Sequence, residues 1–113
     1  MSYKVIPVDK FKREAKRLVK KYPSLKIELA EIAESLSEEP TLGTSLGNDT
    51  YKIRISIKSK GKGKSGGYRV TYLHRPESEK IYLIVLYSKN EQEDLSSDEK
   101  KFLRKLIETL KEE

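Results

Sequence analysis

The sequence contains no cysteine, no tryptophan and only one histidine, His74, among its 113 residues. Without cysteine there are neither disulfides nor thiolate metal ligands, which suits a cytoplasmic protein. One histidine argues against a histidine-rich metal site, and we expect neither a metal nor another cofactor. No apolar run approaches the roughly 18 residues of a membrane span, and residues 1–16 lack the apolar core of a signal peptide. We therefore expect a single domain over residues 1–113 with no membrane partner.

Charge is abundant and unevenly distributed. Lys and Arg number 24 against 18 Asp and Glu, so the formal net charge is +6. Residues 1–24 carry a net +6 and residues 25–49 a net −5, whereas residues 50–76 carry eight basic side chains and no acidic one. An unopposed basic block within a folded domain attracts phosphate backbones or an acidic protein. The alternative is a solvated face that keeps the chain soluble.

Apolar periodicity predicts two helices after a short opening strand at residues 3–8. The first helix is expected to run from an Asp9 cap to about Tyr22, and the second from Ser24 to about Ser37, with a proline between them. Each helix has one apolar stripe, formed by Phe11, Ala15, Leu18 and Tyr22 in the first and by Leu25, Leu29, Ile32 and Leu36 in the second. Two such helices predict a hairpin that covers a sheet.

Three strands are predicted beyond a loop at residues 40–50. Residues 51–58 alternate strictly between apolar and polar side chains, which is typical of a half-buried antiparallel strand. A second strand is expected at residues 68–74. The third, at residues 81–87, is apolar on both faces and therefore belongs in the interior of the sheet.

A capping box formed by Ser96 and Glu99 predicts the start of a final helix. Its apolar residues define one packing face, and Leu103, Leu106 and Leu110 either complete the core or face a partner protein. The predicted order is β-α-α-β-β-β-α. This order indicates an α+β fold of two layers, with a mainly antiparallel sheet packed by a helical hairpin and a C-terminal helix.

The tripeptide Gly63-Lys64-Ser65 does not complete a P-loop. Position 58 is Lys where that motif needs Gly, and a strand follows where it needs a helix. Residues 59–67 instead read as a flexible basic hairpin, whose glycines let the backbone approach a polyanion and whose lysines supply charge. Tyrosines on the flanking strands, including Tyr68, either stack on bases or pack within the sheet.

The sequence shows neither a serine triad nor paired histidines for acid–base catalysis. Any chemistry must therefore rest on Lys, Arg and Tyr. RNA cleavage is feasible with these groups, because a 2′-hydroxyl attacks the adjacent phosphate once a base removes its proton and cations stabilise the developing charge.

Four segments carry a family resemblance, namely KKYPSL at residues 20–25, residues 40–55, SKGKGKSGGYRV at residues 59–70 and LYSKNEQEDLS at residues 86–96. With these segments the chain resembles the RelE/ParE superfamily of toxins from toxin–antitoxin systems. The resemblance implies a compact toxin whose relatives mostly cleave mRNA in the ribosomal A site without a metal. It also implies a cognate, usually acidic, antitoxin and a toxin–antitoxin hetero-oligomer.

Matched onto this sequence, the resemblance implies a set of site residues. Arg54 and Arg69 would hold the scissile phosphate and its developing charge. Lys89 or Lys58 would act as the base or as the acid for the leaving group, and Tyr87 would stack on or orient the nucleotide. RNA-backbone contacts are expected from Lys52, Lys60, Lys62 and Lys64, with Tyr68 beside them.

Two alternatives remain open at the level of sequence. A ParE-like toxin inhibits DNA gyrase by binding a protein and does no chemistry. A non-catalytic RNA-binding module would retain the basic surface alone. The density of positive charge in residues 50–76 favours the ribosome-dependent endoribonuclease, because a cationic surface suits a site made of RNA.

Overall fold

The structure is a computed structural model that describes residues 2–56 and 67–111. These residues form three helices and five strands. The strands are β1 (Lys4–Pro7), β2 (Thr44–Gly47), β3 (Thr50–Ile55), β4 (Tyr68–Arg75) and β5 (Lys80–Ser88). The helices are α1 (Asp9–Lys21), α2 (Leu25–Glu38) and α3 (Ser97–Lys111), and a short 3-10 turn at Pro76–Ser78 joins β4 to β5.

The strands form one sheet in the order β1-β5-β4-β3-β2. β1 runs parallel to β5, and the other three pairings are antiparallel. These findings confirm the α+β class, the mainly antiparallel sheet and the interior position of β5. No helix within the described ranges is both long and apolar enough to cross a membrane.

The prediction of an uninterrupted loop over residues 40–50 is wrong for Thr44–Gly47, which forms β2 at the edge of the sheet. All four residues of β2 are exposed, so the strand has no buried alternation by which sequence reasoning could have detected it. Asn48 and Asp49 have φ values of 53° and 58° and form the turn into β3. Asn and Asp tolerate this left-handed conformation better than other residues with a side chain.

The helices α1 and α2 cover one face of the sheet. Their fully buried leucines, including Leu18, Leu25 and Leu36, pack against Val70 and Tyr72 of β4 and against apolar residues of β5. Burying a leucine side chain stabilises the fold by roughly 1.5–3 kcal/mol. The predicted apolar stripes therefore face the sheet as expected.

The helix α3 packs on part of the opposite face of the sheet. It therefore forms a third layer, beside the sheet and the helical hairpin. Leu103 and Leu110 are buried there against Ile84, Val85 and Tyr87 of β5. In this chain these leucines complete the core. Both Ile84 and Val85 reach this face because β5 contains a bulge. Thr71 of β4 pairs with Val85 and the next residue, Tyr72, pairs with Leu83, so Ile84 is left without a partner in the register.

Of the two predicted helix caps, one is confirmed and one is wrong. The Glu99 N–H donates to Ser96 Oγ at 3.1 Å and the Ser96 N–H donates to Glu99 Oε1 at 2.9 Å, which is a complete capping box. Val8 rather than Asp9 occupies the cap position of α1, and no side chain caps that end. Asp9 lies within the first turn, where its negative charge interacts favourably with the positive end of the helix dipole.

Gly67, which directly precedes β4, occupies a position that tolerates no side chain. Its φ is +59°, and a Cβ placed there would lie 2.5 Å from the Ile55 carbonyl oxygen. Gly47 has φ +90° but open space around its Cβ position, so it tests the backbone conformation alone.

Gly67→Ala should therefore lower the free energy of unfolding more than Gly47→Ala does. We expect a loss of about 1 kcal/mol for Gly47→Ala and about 2–4 kcal/mol for Gly67→Ala, because only the second adds a clash with backbone. Urea denaturation of the two variants measures the difference. Equal losses would contradict the close approach of Gly67 to β3.

Candidate functional site

Two arginines lie directly opposite each other on the face of the sheet that α3 partly covers. Arg54 of β3 pairs with Arg69 of β4, and Arg69 pairs in turn with Tyr87 of β5. Paired residues of neighbouring strands project to the same face of the sheet, and the strands themselves lie about 4.8 Å apart. Since Tyr87 packs in the α3 cluster, all three residues belong to that face. We call Arg54, Arg69 and Tyr87 the arginine row.

Arg54 and Arg69 place two positive charges at directly opposite positions, and such a pair by itself destabilises a sheet. Arg54 is exposed and lies on β3 beyond the residues that pair with β2. Arg69 is half-buried, and one of its guanidinium nitrogens lies 3.5 Å from the Tyr68 carbonyl oxygen. An anion between the two guanidinium groups would offset their repulsion and accept bidentate hydrogen bonds.

Two lysines extend the positive charge of this face. Lys52 precedes Arg54 by two residues on β3 and pairs with Thr71, so it lies on the same side of the sheet. Lys89 follows Tyr87 by two residues, and its N–H donates to the Gly67 carbonyl at 3.0 Å, so the pairing with β4 continues to it. The structure thus brings together Lys52, Lys89 and the arginine row.

The turn that follows β5 supplies acidic groups to this site. The Lys89 ammonium donates to the Glu93 carbonyl oxygen at 2.8 Å, and it lies 3.7 Å from the Glu93 carboxylate. Gln92 Nε2 donates to Glu99 Oε1 at 2.9 Å and so connects the turn to the start of α3. Sequence reasoning missed this contribution, although the run NEQED directly after Lys89 is its signal.

A cluster of charges also ties this turn to α1. Arg17 donates to both carboxylate oxygens of Glu91, at 2.7 and 3.3 Å, and Lys21 lies 3.6 Å from the same carboxylate. Glu14 accepts from Arg17 at 3.1 Å. The bond from Arg17 lowers the pKa of Glu91, and Glu91 and Glu14 together raise the pKa of Arg17. Sequence reasoning singled out neither Arg17 nor Glu91.

Tyr87 lies at the inner end of the arginine row and is only 3% exposed. Burial raises the pKa of its phenol, the negative charge of Asp94 adds to this rise, and Arg69 opposes it. The phenol therefore keeps its proton at neutral pH and can donate a hydrogen bond or a proton. Because its ring is buried, it offers no open face on which a base could stack.

Tyr68 does not join the site. It lies on the opposite face, fully buried, with its ring edge-on to Tyr22 at a centroid distance of 5.8 Å. Alternation within β4 explains this position, because Tyr68 and Arg69 are neighbours in sequence and must face opposite ways. The other site residues expected from the sequence, Lys58, Lys60, Lys62 and Lys64, lie outside the described residues.

The single histidine is remote from the arginine row. His74 lies near the far end of β4, five residues from Arg69, and its ring contacts that of Tyr3 at a centroid distance of 5.2 Å. Within residues 2–56 and 67–111, no group of three or more His, Asp or Glu side chains is arranged to hold a metal ion. The chemical groups that the described residues bring to the site are guanidinium, ammonium, phenol and the carboxylate of Glu93.

A second cationic surface lies on the other side of the molecule. α1 packs against the face opposite the arginine row, and its outer surface exposes Lys12, Arg13, Lys16 and Lys20. These four charges therefore form a separate surface beyond the sheet. Other basic residues of α1 do reach the elements beside the site, since Lys10 lies 3.9 Å from Glu99 and both Arg17 and Lys21 contact Glu91.

Comparison with known proteins identifies the family of this chain. The model of the RelE toxin of the RelE/RelB toxin–antitoxin system matches residues 4–113. The chain belongs to the RelE toxin family. The free-state structure of a mutant of the E. coli toxin RelE is similar to this one, with a TM-score of 0.57 and 21% sequence identity over 82% of this chain and 90% of that chain. At that identity the likeness shows a common fold.

The Glu91 cluster makes the stability of this RelE-family toxin depend on acidic pH. Because the pKa of Glu91 is lowered from its ordinary 4.5, the cluster stabilises the folded state above that pH and loses its contribution as pH falls below it. Glu91→Gln removes the ionisable group. Its unfolding free energy should be below that of the parent by at most about 1 kcal/mol at neutral pH.

This difference should vanish as pH falls through the lowered pKa of Glu91. Urea denaturation of both proteins between about pH 7 and pH 3 measures it. A difference that stays constant with pH would contradict the ionic origin of the cluster's contribution.

Proposed function

We propose that this RelE-family toxin is an endoribonuclease that cleaves mRNA on the ribosome and thereby inhibits translation. The observation that carries the proposal is the arginine row, in which Arg54 and Arg69 face each other across two neighbouring strands. Such a pair matches a phosphate in charge and in hydrogen-bonding geometry. The family match supports the same function.

In the proposed reaction, the 2′-oxygen of one nucleotide attacks the phosphorus on its own 3′-oxygen. A P–O bond forms, the P–O bond to the 5′-oxygen of the next nucleotide breaks, and the products are a 2′,3′-cyclic phosphate and a 5′-hydroxyl. Arg54 and Arg69 stabilise the negative charge that develops on the phosphate oxygens. We propose that this step proceeds without a metal ion.

Two protons must move in this reaction. One leaves the 2′-hydroxyl for a base, a role that we assign to the uncharged amine of Lys58, because Lys89, as an ammonium held by Glu93, has no lone pair to accept a proton. The other goes to the departing 5′-oxygen, and Tyr87, which stays protonated at neutral pH, is suited to supply it together with Lys89. Lys52 and the lysines at positions 60, 62 and 64 would bind the RNA backbone.

We propose the cytoplasm as the location and a cognate acidic antitoxin as the protein partner. An acidic segment would neutralise the surface of the arginine row and exclude RNA from it. A toxin–antitoxin hetero-oligomer follows from this pairing. Co-expression with the product of the neighbouring reading frame tests for that partner.

Primer extension on an mRNA that is being translated tests the proposed activity directly. We expect cuts in phase with the codons when the toxin is added, and none when ribosomes are omitted. Intact message with inhibited supercoiling in a DNA gyrase assay would favour the gyrase-binding alternative. Intact message with retained RNA binding would favour the non-catalytic module.

Replacement of either arginine should abolish most of the cleavage. Arg54→Gln and Arg69→Gln each remove one charged donor to the phosphate, and loss of one such donor typically lowers the rate about 10²- to 10³-fold. The control is the double variant Lys101→Gln/Lys105→Gln, which loses exposed charges on α3. It should cleave within about twofold of the parent, since a lost surface charge has little effect unless it contacts the substrate. Equal losses in all variants would show that only total charge matters.

Binding to single-stranded RNA should weaken as salt increases. Each phosphate contact contributes a log–log slope of roughly −0.7, so Arg54→Gln should make the slope shallower by about that amount. The Lys101→Gln/Lys105→Gln control should keep the slope of the parent. A flat response in the parent would contradict binding through phosphates.

A further inference from the structure

The turn after β5 is held at both ends by defined contacts. At its start, the N–H groups of Glu91 and Gln92 both donate to the Ser88 carbonyl, at 2.9 and 3.1 Å. At its end, Gln92 Nε2 donates to the Asp94 carbonyl and to Glu99. Between these contacts, the Glu91 side chain binds α1 on the other side of the sheet. The turn therefore wraps round the end of β5 and links the helix layer to the site.

Lys89 depends on the conformation of this turn. Its backbone is fixed by the Gly67 carbonyl, but its ammonium is held by the carbonyl oxygen and carboxylate of Glu93. Glu93 lies two residues after Glu91. A shift of Glu91 would therefore carry Glu93 with it and move the ammonium relative to Arg69.

The tie to α1 contributes little to stability. The side chains of Arg17 and Glu91 are 50% and 32% exposed, and ion pairs this accessible are screened by water and salt. The bond is nevertheless bidentate and reinforced by Lys21, so its geometry is well defined. A contact that is precise in geometry and weak in stability is suited to fix a position.

We propose that Arg17 and Glu91 are positioning residues that hold the Lys89 ammonium beside Arg54 and Arg69. This assignment rests on the proposed function, since Lys89 acts there on the RNA. Arg17 and Glu91 themselves do not touch the RNA. They act through the turn.

Two substitutions that remove charges of opposite sign test this assignment. Arg17→Met removes a positive charge and Glu91→Gln removes a negative one. A misplaced catalytic group costs about 10- to 100-fold in rate, so both variants should lower kcat and leave KM for the ribosome nearly unchanged. Glu91→Gln should have the larger effect, because Lys21 still holds Glu91 in Arg17→Met. A purely electrostatic role would instead make the two variants change KM in opposite directions, and that result would overturn the proposal.

The double variant and two controls sharpen the test. Arg17→Met/Glu91→Gln should be no slower than Glu91→Gln, because the two residues act through one contact. Glu14→Gln removes the neighbouring ion pair of Arg17 without touching the turn, and it should keep the parent's kcat. Arg17→Lys keeps the charge and should recover part of the rate. Additive losses, or an equal loss in Glu14→Gln, would contradict the proposal.

Amide hydrogen exchange gives a readout that does not require cleavage. In Glu91→Gln the amides of residue 91 and Gln92 should exchange about two- to fivefold faster, whereas the Lys100 amide, bonded to the Ser96 carbonyl at the start of α3, should not change. The melting temperature should shift by less than about 5 °C. Unchanged exchange in the turn would overturn the positioning role even if the toxin cleaves RNA. Absence of cleavage in the parent with faster exchange in the variant would instead refute the proposed function.

Discussion

The register of β4 between β3 and β5 is the constraint on which both the core and the candidate site depend. β4 is paired along both edges, and its side chains alternate between the core under α1 and α2 and the face that α3 partly covers. Because the side-chain period of a strand is two, a slip of one residue would exchange the places of Tyr68 and Arg69. An arginine would then be buried among apolar residues without compensation. The burial of Tyr68, Val70 and Tyr72 thus fixes Arg69 on the opposite face.

The bulge in β5 is equally necessary for the arginine row. Thr71 pairs with Val85 and Tyr72 with Leu83, so Ile84 is the additional residue. Without it, continuation of the Leu83 register would place Leu86 opposite Arg69 and would turn Tyr87 toward the helical hairpin. The bulge therefore has two structural effects. It gives α3 two adjacent apolar residues to pack on, and it aligns Tyr87 with the arginines.

Periodic patterns made the helices and the three long strands predictable, because each of them buries one regular stripe of side chains. The edge strand β2 buries nothing and leaves no such trace. Successive side chains of a strand face opposite ways, so the strand expected at residues 68–74 already separates Tyr68 from Arg69, and the exclusion of Tyr68 from the site was accessible from sequence. The contact between Arg17 and Glu91 was not, since it joins residues 74 apart whose proximity depends on the whole fold. Charge patterns locate a basic region, but only the register decides which cations share a face.

The two basic regions of the sequence form two surfaces, and they have different local partners. On α1, Arg17 and Lys21 are engaged by Glu91, which is itself part of the turn beside the site. On the other face, Lys89 is engaged by Glu93 of the same turn. One acidic turn therefore supplies counter-charge to both surfaces and lowers the repulsion within each. Under the proposed function, an RNA phosphate at the arginine row would meet at Lys89 an ammonium that Glu93 already orients, so this part of the site would be arranged before the substrate arrives.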